Sequence, residues 1–330
     1  MAPAQQQAAP HPSSERLACI GAGLVGSAWA IVFARAGFAV SLYDSSAAVL
    51  ASAPQRIRQQ LEALHANGLL DEPAEAVAAR VRIADSLAQA LQGVAYVQES
   101  ILERAELKRA LLQEIETLDD GRLVVGSSTS GIPASAFACG LKIAARVLVV
   151  HPVNPPSLIP LVELVPSPDT SPSALAFARQ LMQVCRQSPI TVNREIEGFV
   201  INRLQAVLLR EAWSLVKDGV ASAEDVDKTV RDGLGWRWAF MGPFETIDLN
   251  AVGGVADYAR RLGPLYQGIA ASRDHQDPWD EEWIAQVEAQ RRERLAPEQL
   301  QDRAHWRDLR LMSLARHWRD LERATGDVSS

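Results

Sequence analysis

The amino-acid sequence predicts an α/β chain: a doubly wound, mostly parallel sheet followed by an all-α C-terminal region. Three observations carry that prediction. Short apolar, β-branched runs alternate with amphipathic helical stretches from residue 16 to residue 165. The first of these strands runs straight into Gly21-Ala-Gly23-Leu-Val-Gly26, a glycine turn that opens an apolar helix. From Gly198 onward no strand pattern recurs. At 330 residues the chain is too long for one compact core. The pattern divides it into a disordered tail over 1–14, a sheet domain over 15–194 and a helical domain over 195–330.

Taken in order, 16–20 reads as a short strand. In the turn after it, Gly21 makes the tight bend, Gly23 permits close approach of a pyrophosphate, and Gly26 lets helix and strand pack. The helix N-terminus then offers free N–H groups and a positive dipole end to phosphate. A second strand, 39–43, ends in Asp44, eighteen residues past Gly26, where an acid can bind the adenosine ribose hydroxyls. Asp44 would repel a 2′-phosphate, and Ser45 and Ser46 follow it rather than an arginine, so NAD is favoured over NADP.

Residues 46–80 are helical and amphipathic, with Gly68 as a break and Leu61, Leu64, Leu69 and Leu70 as core positions. Strands are expected over 81–84 and 94–98. The second leads into a helix carrying Glu103 and Lys108, at the carboxyl end of a strand, where open α/β sheets bind their ligands. The strand at 123–126 ends in Ser127-Ser128-Thr129-Ser130-Gly131, hydroxyls that can hold a polar substrate or cap the helix begun near Pro133. A helix over 171–186 and a strand over 189–192 close the sheet domain. Helices beginning near Phe199 and at Ser222 follow, then the aromatic corner Gly235-Trp-Arg237-Trp, and last a charged stretch anchored by Trp279, Trp283, Trp306 and Trp318.

Val147-Leu-Val-Val-His151-Pro-Val-Asn-Pro-Pro-Ser-Leu-Ile-Pro-Leu-Val-Glu163 is the stretch that bears chemistry. His151 stands where a buried strand should end, Pro152, Pro155, Pro156 and Pro160 stiffen the loop, and Glu163 returns on a second β-like run. A histidine titrating near neutrality beside a carboxylate can serve as a general base with its orienting partner.

Composition is that of a globular protein, 48% hydrophobic and 22% charged. The net charge of −7 gives no electrostatic reason to expect nucleic acid or an anionic membrane. The tail lacks the apolar core of a signal peptide, and no run reaches transmembrane length. Three widely spaced cysteines suit a reducing, cytoplasmic compartment, and no metal-ligand spacing is present.

These residues resemble the 3-hydroxyacyl-CoA dehydrogenase superfamily, and within it the lambda-crystallin branch, whose enzymatic member is L-gulonate 3-dehydrogenase. The resemblance spans about 16–325 and is most specific in His151-Pro-Val-Asn-Pro-Pro, Ile-Pro-Leu-Val-Glu-Leu-Val-Pro166, Gly198-Phe-Val-Ile-Asn-Arg-Leu-Gln205, Gly233-Leu-Gly and Gly242-Pro-Phe-Glu-Thr. It implies a Rossmann-type NAD-binding domain and oxidation of the 3-hydroxyl of a small-molecule 3-hydroxy acid. It makes His151 the catalytic base supported by Glu163, with Ser130 and Asn202 beside the reacting carbinol. It adds Leu24, Val25, Glu103 and Lys108 to the nucleotide site, and it implies a homodimer built through the helical domain. Acyl-CoA members carry bulky aromatics just after the histidine, whereas Pro152 and Val153 follow it here, which argues against a thioester substrate. A free acid needs a cation for its carboxylate. Arg237 is the candidate, the alternative being an arginine stacked on Trp236 or Trp238. A non-catalytic, crystallin-like protein is the other class to weigh, but nothing structural requires Asp44, Ser130, His151, Glu163 and Asn202 together.

Overall fold

The structure, a computed structural model, describes residues 10–11, 14–273 and 280–325. Most of the expected tail, and Trp279, lie outside the described residues. Two compact units emerge, one comprising Met1–Arg203 with Ala304–Ser330 and the other Leu204–Arg303. The division differs from the expected break after residue 194, for a physical reason. Phe199 is fully buried in the core of the sheet unit, and Met312, 4% exposed, joins the same unit's other apolar cluster. Side-chain burial therefore ties the segment after 194 and the helix that carries Met312 to the sheet.

In the sheet unit, β1 (Arg16–Ile20), β2 (Ala39–Tyr43), β3 (Val81–Ile83), β4 (Tyr96–Glu99), β5 (Val124–Ser127), β6 (Val147–Pro152), β7 (Leu161–Pro166) and β8 (Ser188–Thr191) form one sheet in the order 3-2-1-4-5-6-7-8. Every pair is parallel except β6 with β7. The order reverses between β1 and β4, the switch point at whose carboxyl edge such sheets bind ligands.

Helices α1 (Leu24–Arg35), α2 (Ala47–Ala66) and α3 (Ala74–Ala78) alternate with the first strands, and α4 (Leu87–Ala90), α5 (Ala105–Leu118), α6 (Ala134–Ala138) and α7 (Pro172–Val184) with the rest. Two apolar clusters line the sheet. One gathers α1, α2 and α7 residues such as Trp29, Leu61, Leu64 and Leu181, with Leu69 and Leu70 packed against it; the other gathers Leu112, Ile115 and Phe137 of α5 and α6. Trp29 stacks on Phe33 at 5.4 Å, and Phe33 meets Tyr96 edge-on at 6.0 Å. As expected, α2 stops at Gly68, whose φ of 71° suits a residue without a side chain.

Chain continues through α8 (Ile201–Lys217) into the second unit. There α9 (Ala223–Lys228) is capped by the Ser222 hydroxyl accepting from the Asp225 N–H at 3.1 Å. It winds into a π-helical turn over Thr229–Leu234 instead of running on as one helix. Helices α10 (Gly235–Trp238), α11 (Pro243–Leu249), α12 (Gly254–Ala271) and α13 (Glu281–Arg294) complete it. Within this unit Arg273 binds Glu211 at 2.9 Å and Asp218 at 2.6 Å, and Lys217 lies 3.5 Å over the Trp283 ring. The last helix, α14 (Leu300–Thr325), carries Trp306, 42% exposed and so only partly an anchor. No helix among the described residues is long and apolar enough to cross a membrane, and no group of three or more metal-binding side chains is found among them.

Candidate active site

Strand β6 runs one residue past His151, so the histidine lies inside the ladder rather than beyond its end. Antiparallel pairing then sets His151 directly opposite Glu163 of β7. Cross-strand partners point to the same face, and the His151 Nδ1 lies 2.7 Å from Glu163 Oε2. Both are buried, His151 at 5% exposure and Glu163 at zero. The proline-rich loop between them is tied down at Ser157. Its carbonyl accepts from Arg35 Nη1 at 2.7 Å and its hydroxyl from Gln60 Nε2 at 2.6 Å. Burial pushes the Arg35 guanidinium pKa down to about 10.

The second carboxylate oxygen of Glu163 has its own task. Oε1 accepts the N–H groups of Val200 and Ile201 at 2.8 and 3.0 Å, at the start of α8. Gly198 and Phe199 bring those two groups round by adopting φ of 73° and 50°. The left-handed region is costly for a bulky residue, on the order of 1–3 kcal/mol. Phe199 holds it with its side chain fully buried and its ring 5.6 Å from the imidazole. Burial alone would raise the Glu163 pKa; the His151 bond and the Ile201 and Val200 N–H groups outweigh it, holding the carboxyl below the usual range.

Asn202 is the second residue of α8, and its Nδ2 donates to the Ser130 carbonyl at 2.7 Å. Ser130 is exposed, and its hydroxyl bonds to no other group among the described residues. Its backbone N–H donates to Glu103 Oε1 at 2.9 Å, and the Thr129 hydroxyl donates to the same oxygen at 2.5 Å. Ser130, Asn202, His151 and Glu163 are thus joined through α8 and two strand ends. Burial raises the Glu103 pKa, but Thr129, Lys108 and the Ser130 N–H hold it below the usual range. Lys108, expected beside the cofactor, is 1% exposed, and its ammonium lies 2.8 Å from Glu99 Oε1 and 3.4 Å from Glu103 Oε2. Glu99 and Phe199 were not read from the sequence as site residues. Glu99 is the last residue of β4, a position whose pattern alone marks a buried strand.

The nucleotide turn follows its sequence assignment. Gly21 has φ of 97°, and a Cβ there would stand 2.4 Å from the Ser100 carbonyl oxygen; one on Gly26 would stand 1.8 Å from the Gly21 oxygen. Gly23 faces open space, and no side chain caps α1. First-turn N–H groups, including those of exposed Leu24 and half-buried Val25, are therefore left for an anion. Asp44 Oδ2 accepts the Ala22 N–H at 2.7 Å and Oδ1 the Ser46 N–H at 2.8 Å, leaving lone pairs for a ribose diol. Arg56 Nη2 donates to the Ala22 carbonyl at 2.6 Å and so braces the turn. This cradle fits NAD. Asp44→Ala is expected to weaken NAD binding by about tenfold or more while changing NADP binding little, as a carboxylate beside a 2′-phosphate is removed together with a diol acceptor. Titration of both nucleotides against intrinsic fluorescence tests this, and a wild type that binds them equally would refute it.

Comparison with known proteins agrees with this geometry. The model of the 3-hydroxyacyl-CoA dehydrogenase NAD-binding domain matches residues 16–196, and that family's C-terminal domain model matches residues 198–295. Lambda-crystallin of Oryctolagus cuniculus is 37% identical over 315 residues, covering 94% of this chain and 98% of that protein. L-carnitine dehydrogenase of Streptomyces coelicolor is 38% identical over 254 residues, covering 76% of this chain and 78% of that protein. Among solved structures, an FHMPC 5-dehydrogenase described as an NAD+-dependent dismutase superposes with a TM-score of 0.79 at 27% identity, covering 92% of this chain and 97% of that one. With its cofactor cradle and its paired histidine and glutamate, the chain belongs to the 3-hydroxyacyl-CoA dehydrogenase family, lambda-crystallin branch, and is an NAD-dependent oxidoreductase.

Proposed function

We propose that the enzyme oxidises the 3-hydroxyl of a free L-3-hydroxy acid to the 3-keto acid, most closely in the manner of L-gulonate 3-dehydrogenase. The observation that carries the reading is the His151 Nδ1–Glu163 bond of 2.7 Å, with Asn202 and the Ser130 loop linked at 2.7 Å. Bound NAD supplies the hydride acceptor. The chain must then hold the carbinol and take its proton. Glu163, an acceptor only, keeps the proton of the neutral imidazole on Nδ1 and leaves Nε2 as the base. As the imidazolium forms, the buried carboxylate stabilises it. Ser130, with its uncommitted hydroxyl, and Asn202 orient the carbinol oxygen and polarise the developing carbonyl.

L-Carnitine is itself a 3-hydroxy acid, and the relative named for its dehydrogenation supports a free acid over a thioester. The second reading, (S)-3-hydroxyacyl-CoA oxidation, draws on a Gibberella moniliformis relative named 3-hydroxyacyl-CoA dehydrogenase, 33% identical over 303 residues. NADH formation from L-gulonate, L-3-hydroxybutyrate, L-carnitine and 3-hydroxybutyryl-CoA decides between them. Turnover of the thioester alone would overturn the first reading, and turnover of none would place the substrate outside this panel.

Arg237 is the proposed partner of the substrate carboxylate. It is exposed, and among the described residues it pairs with no acid and makes none of the stacking contacts with Trp236 or Trp238 that a structural arginine would make. Arg237→Met is expected to raise KM for a free acid by about tenfold or more, with the melting temperature unchanged. A wild-type KM in this variant would move the role elsewhere.

A homodimer through the helical unit accords with its surface, where Val207, Trp236, Phe244 and Leu249 are 69, 73, 78 and 67% exposed. Phe244→Glu is expected to shift the sedimentation mass from dimer to monomer; a wild-type monomer at micromolar concentration would refute the assembly. Three free cysteines accord with a cytoplasmic location.

A further inference from the structure

A chain of side-chain hydrogen bonds leads from the middle of the sheet to the glycine turn, and nothing described above uses it. Gln98 of β4 is fully buried. Its Oε1 accepts from the Tyr96 hydroxyl at 2.5 Å, and its Nε2 donates to the Val150 carbonyl at 3.2 Å and to Ser128 Oγ at 2.8 Å. A backbone carbonyl can only accept, so the Val150 bond fixes which way round the amide stands. Burial pushes the Tyr96 pKa well above its ordinary range, so the phenol keeps the proton it donates. Gly126 makes room for that phenol, since a Cβ there would stand 2.0 Å from the Tyr96 oxygen. Trp29 Nε1, a donor only, also binds Ser128 Oγ, at 3.2 Å. Both lone pairs of the Ser128 hydroxyl are then taken, and its own proton goes to Ser100 Oγ, 2.8 Å away. Ser100 receives that proton, and its own finds no acceptor among the described residues.

Ser100 is half-buried and directly follows β4. Its N–H donates to the Ile20 carbonyl at 2.7 Å, between the ends of β1 and β4, where the strand order reverses. Its carbonyl crowds Gly21, and its Cβ would lie 3.4 Å from a Cβ built on Gly26, so the side chain stands against the glycine turn. We propose that Ser100 binds the cofactor, donating its hydroxyl proton to an oxygen of the NAD pyrophosphate, and that Tyr96, Gln98 and Ser128 are positioning residues that fix the direction of that bond. No proton moves along the chain; each group only sets which way the next one points. A serine that already accepts one bond and still has a proton to give is matched to a phosphate oxygen, which can only accept. The pyrophosphate belongs at this turn, over the first N–H groups of α1. A polar network kept for packing alone would close on itself, without an unspent donor at its end. The inference rests on NAD as the cofactor and not on which hydroxy acid is the substrate.

The test is a double-mutant cycle on Ser100→Ala and Ser128→Ala, read by the dissociation constants of NAD, ADP-ribose and adenosine without substrate. Ser100→Ala is expected to weaken NAD and ADP-ribose by about tenfold, the worth of a hydrogen bond to a charged group, and to leave adenosine within about twofold of wild type. Ser100→Cys keeps the volume but offers a weak donor, and a similar loss is expected from it. Ser128→Ala lets the Ser100 hydroxyl turn either way and is expected to weaken NAD by about threefold. In the Ser100→Ala background the same change is expected to add nothing, although it leaves the Trp29 N–H without its acceptor in both. NAD binding within twofold of wild type in Ser100→Ala or Ser100→Cys, or an adenosine loss equal to the NAD loss, would overturn the contact. A Ser128→Ala loss of the same size in both backgrounds would overturn the relay. If no hydroxy acid is turned over, the functional reading fails alone, because these dissociation constants need no substrate.

Discussion

His151→Gln is expected to lower kcat by about 10²–10⁴-fold while leaving NAD affinity within about twofold of wild type. The reason is positional. His151 sits in β6 on the far side of β5 from β4, whereas the glycine turn and Asp44 follow β1 and β2. Glutamine is close in volume and can still meet Glu163, so packing against Phe199 and the cap on α8 survive. What disappears is the imidazole that accepts the alcohol proton, and hydride transfer must then proceed against an alcohol that keeps its proton. Steady-state kinetics and nucleotide titration on the same preparation check both halves. A kcat within tenfold of wild type would remove His151 from the role of base, and a parallel loss of NAD binding would mean that the substitution had disturbed the sheet.

What the sequence revealed follows from the range of each interaction. The glycine turn was legible because its three glycines answer to contacts within a few residues or with the adjacent strand: Gly26 must clear the Gly21 carbonyl, and Gly21 must clear Ser100. Strand alternation likewise exposed the doubly wound sheet, since period and burial are local signals. His151 and Glu163 were legible as a pair, but their register was not. A proline-rich loop can close in several ways, and only β6–β7 pairing sets the two face to face. Glu99 and Lys108 show the opposite limit. An isolated charged residue at a strand end or on an amphipathic helix reads as surface, because nothing local says that two of them will meet in the interior. The return of α14 to the sheet unit, about a hundred residues after the chain leaves it, was not legible for a similar reason.

Glu163→Gln is expected to lower kcat nearly as far as His151→Gln, by about 10²–10⁴-fold, although it changes one atom. Val200 and Ile201 N–H groups both point at Oε1, so the carbonyl oxygen of a glutamine must stay there and its NH2 must face His151. Against an amide donor, Nδ1 turns acceptor, the ring proton moves to Nε2, and the nitrogen that should receive the substrate proton is already protonated. The pair acts as a unit, so the double variant is expected to be no worse than His151→Gln alone. Stability separates this effect from damage to the fold. Glu163→Gln keeps the α8 cap, whereas Glu163→Ala leaves two part-buried N–H groups without that partner and is expected to cost about 1–3 kcal/mol. Acidification supplies the sign. The folded state holds the Glu163 carboxyl below its ordinary range, so this group's stabilisation is complete above the unfolded pKa of about 4.3 and fades as pH falls through the lower folded value. Melting temperatures of wild type and Glu163→Gln should therefore converge as pH falls from the unfolded pKa of about 4.3 through the lower folded value. A Glu163→Gln enzyme that keeps a tenth or more of wild-type kcat would show that the carboxylate does not set the imidazole tautomer.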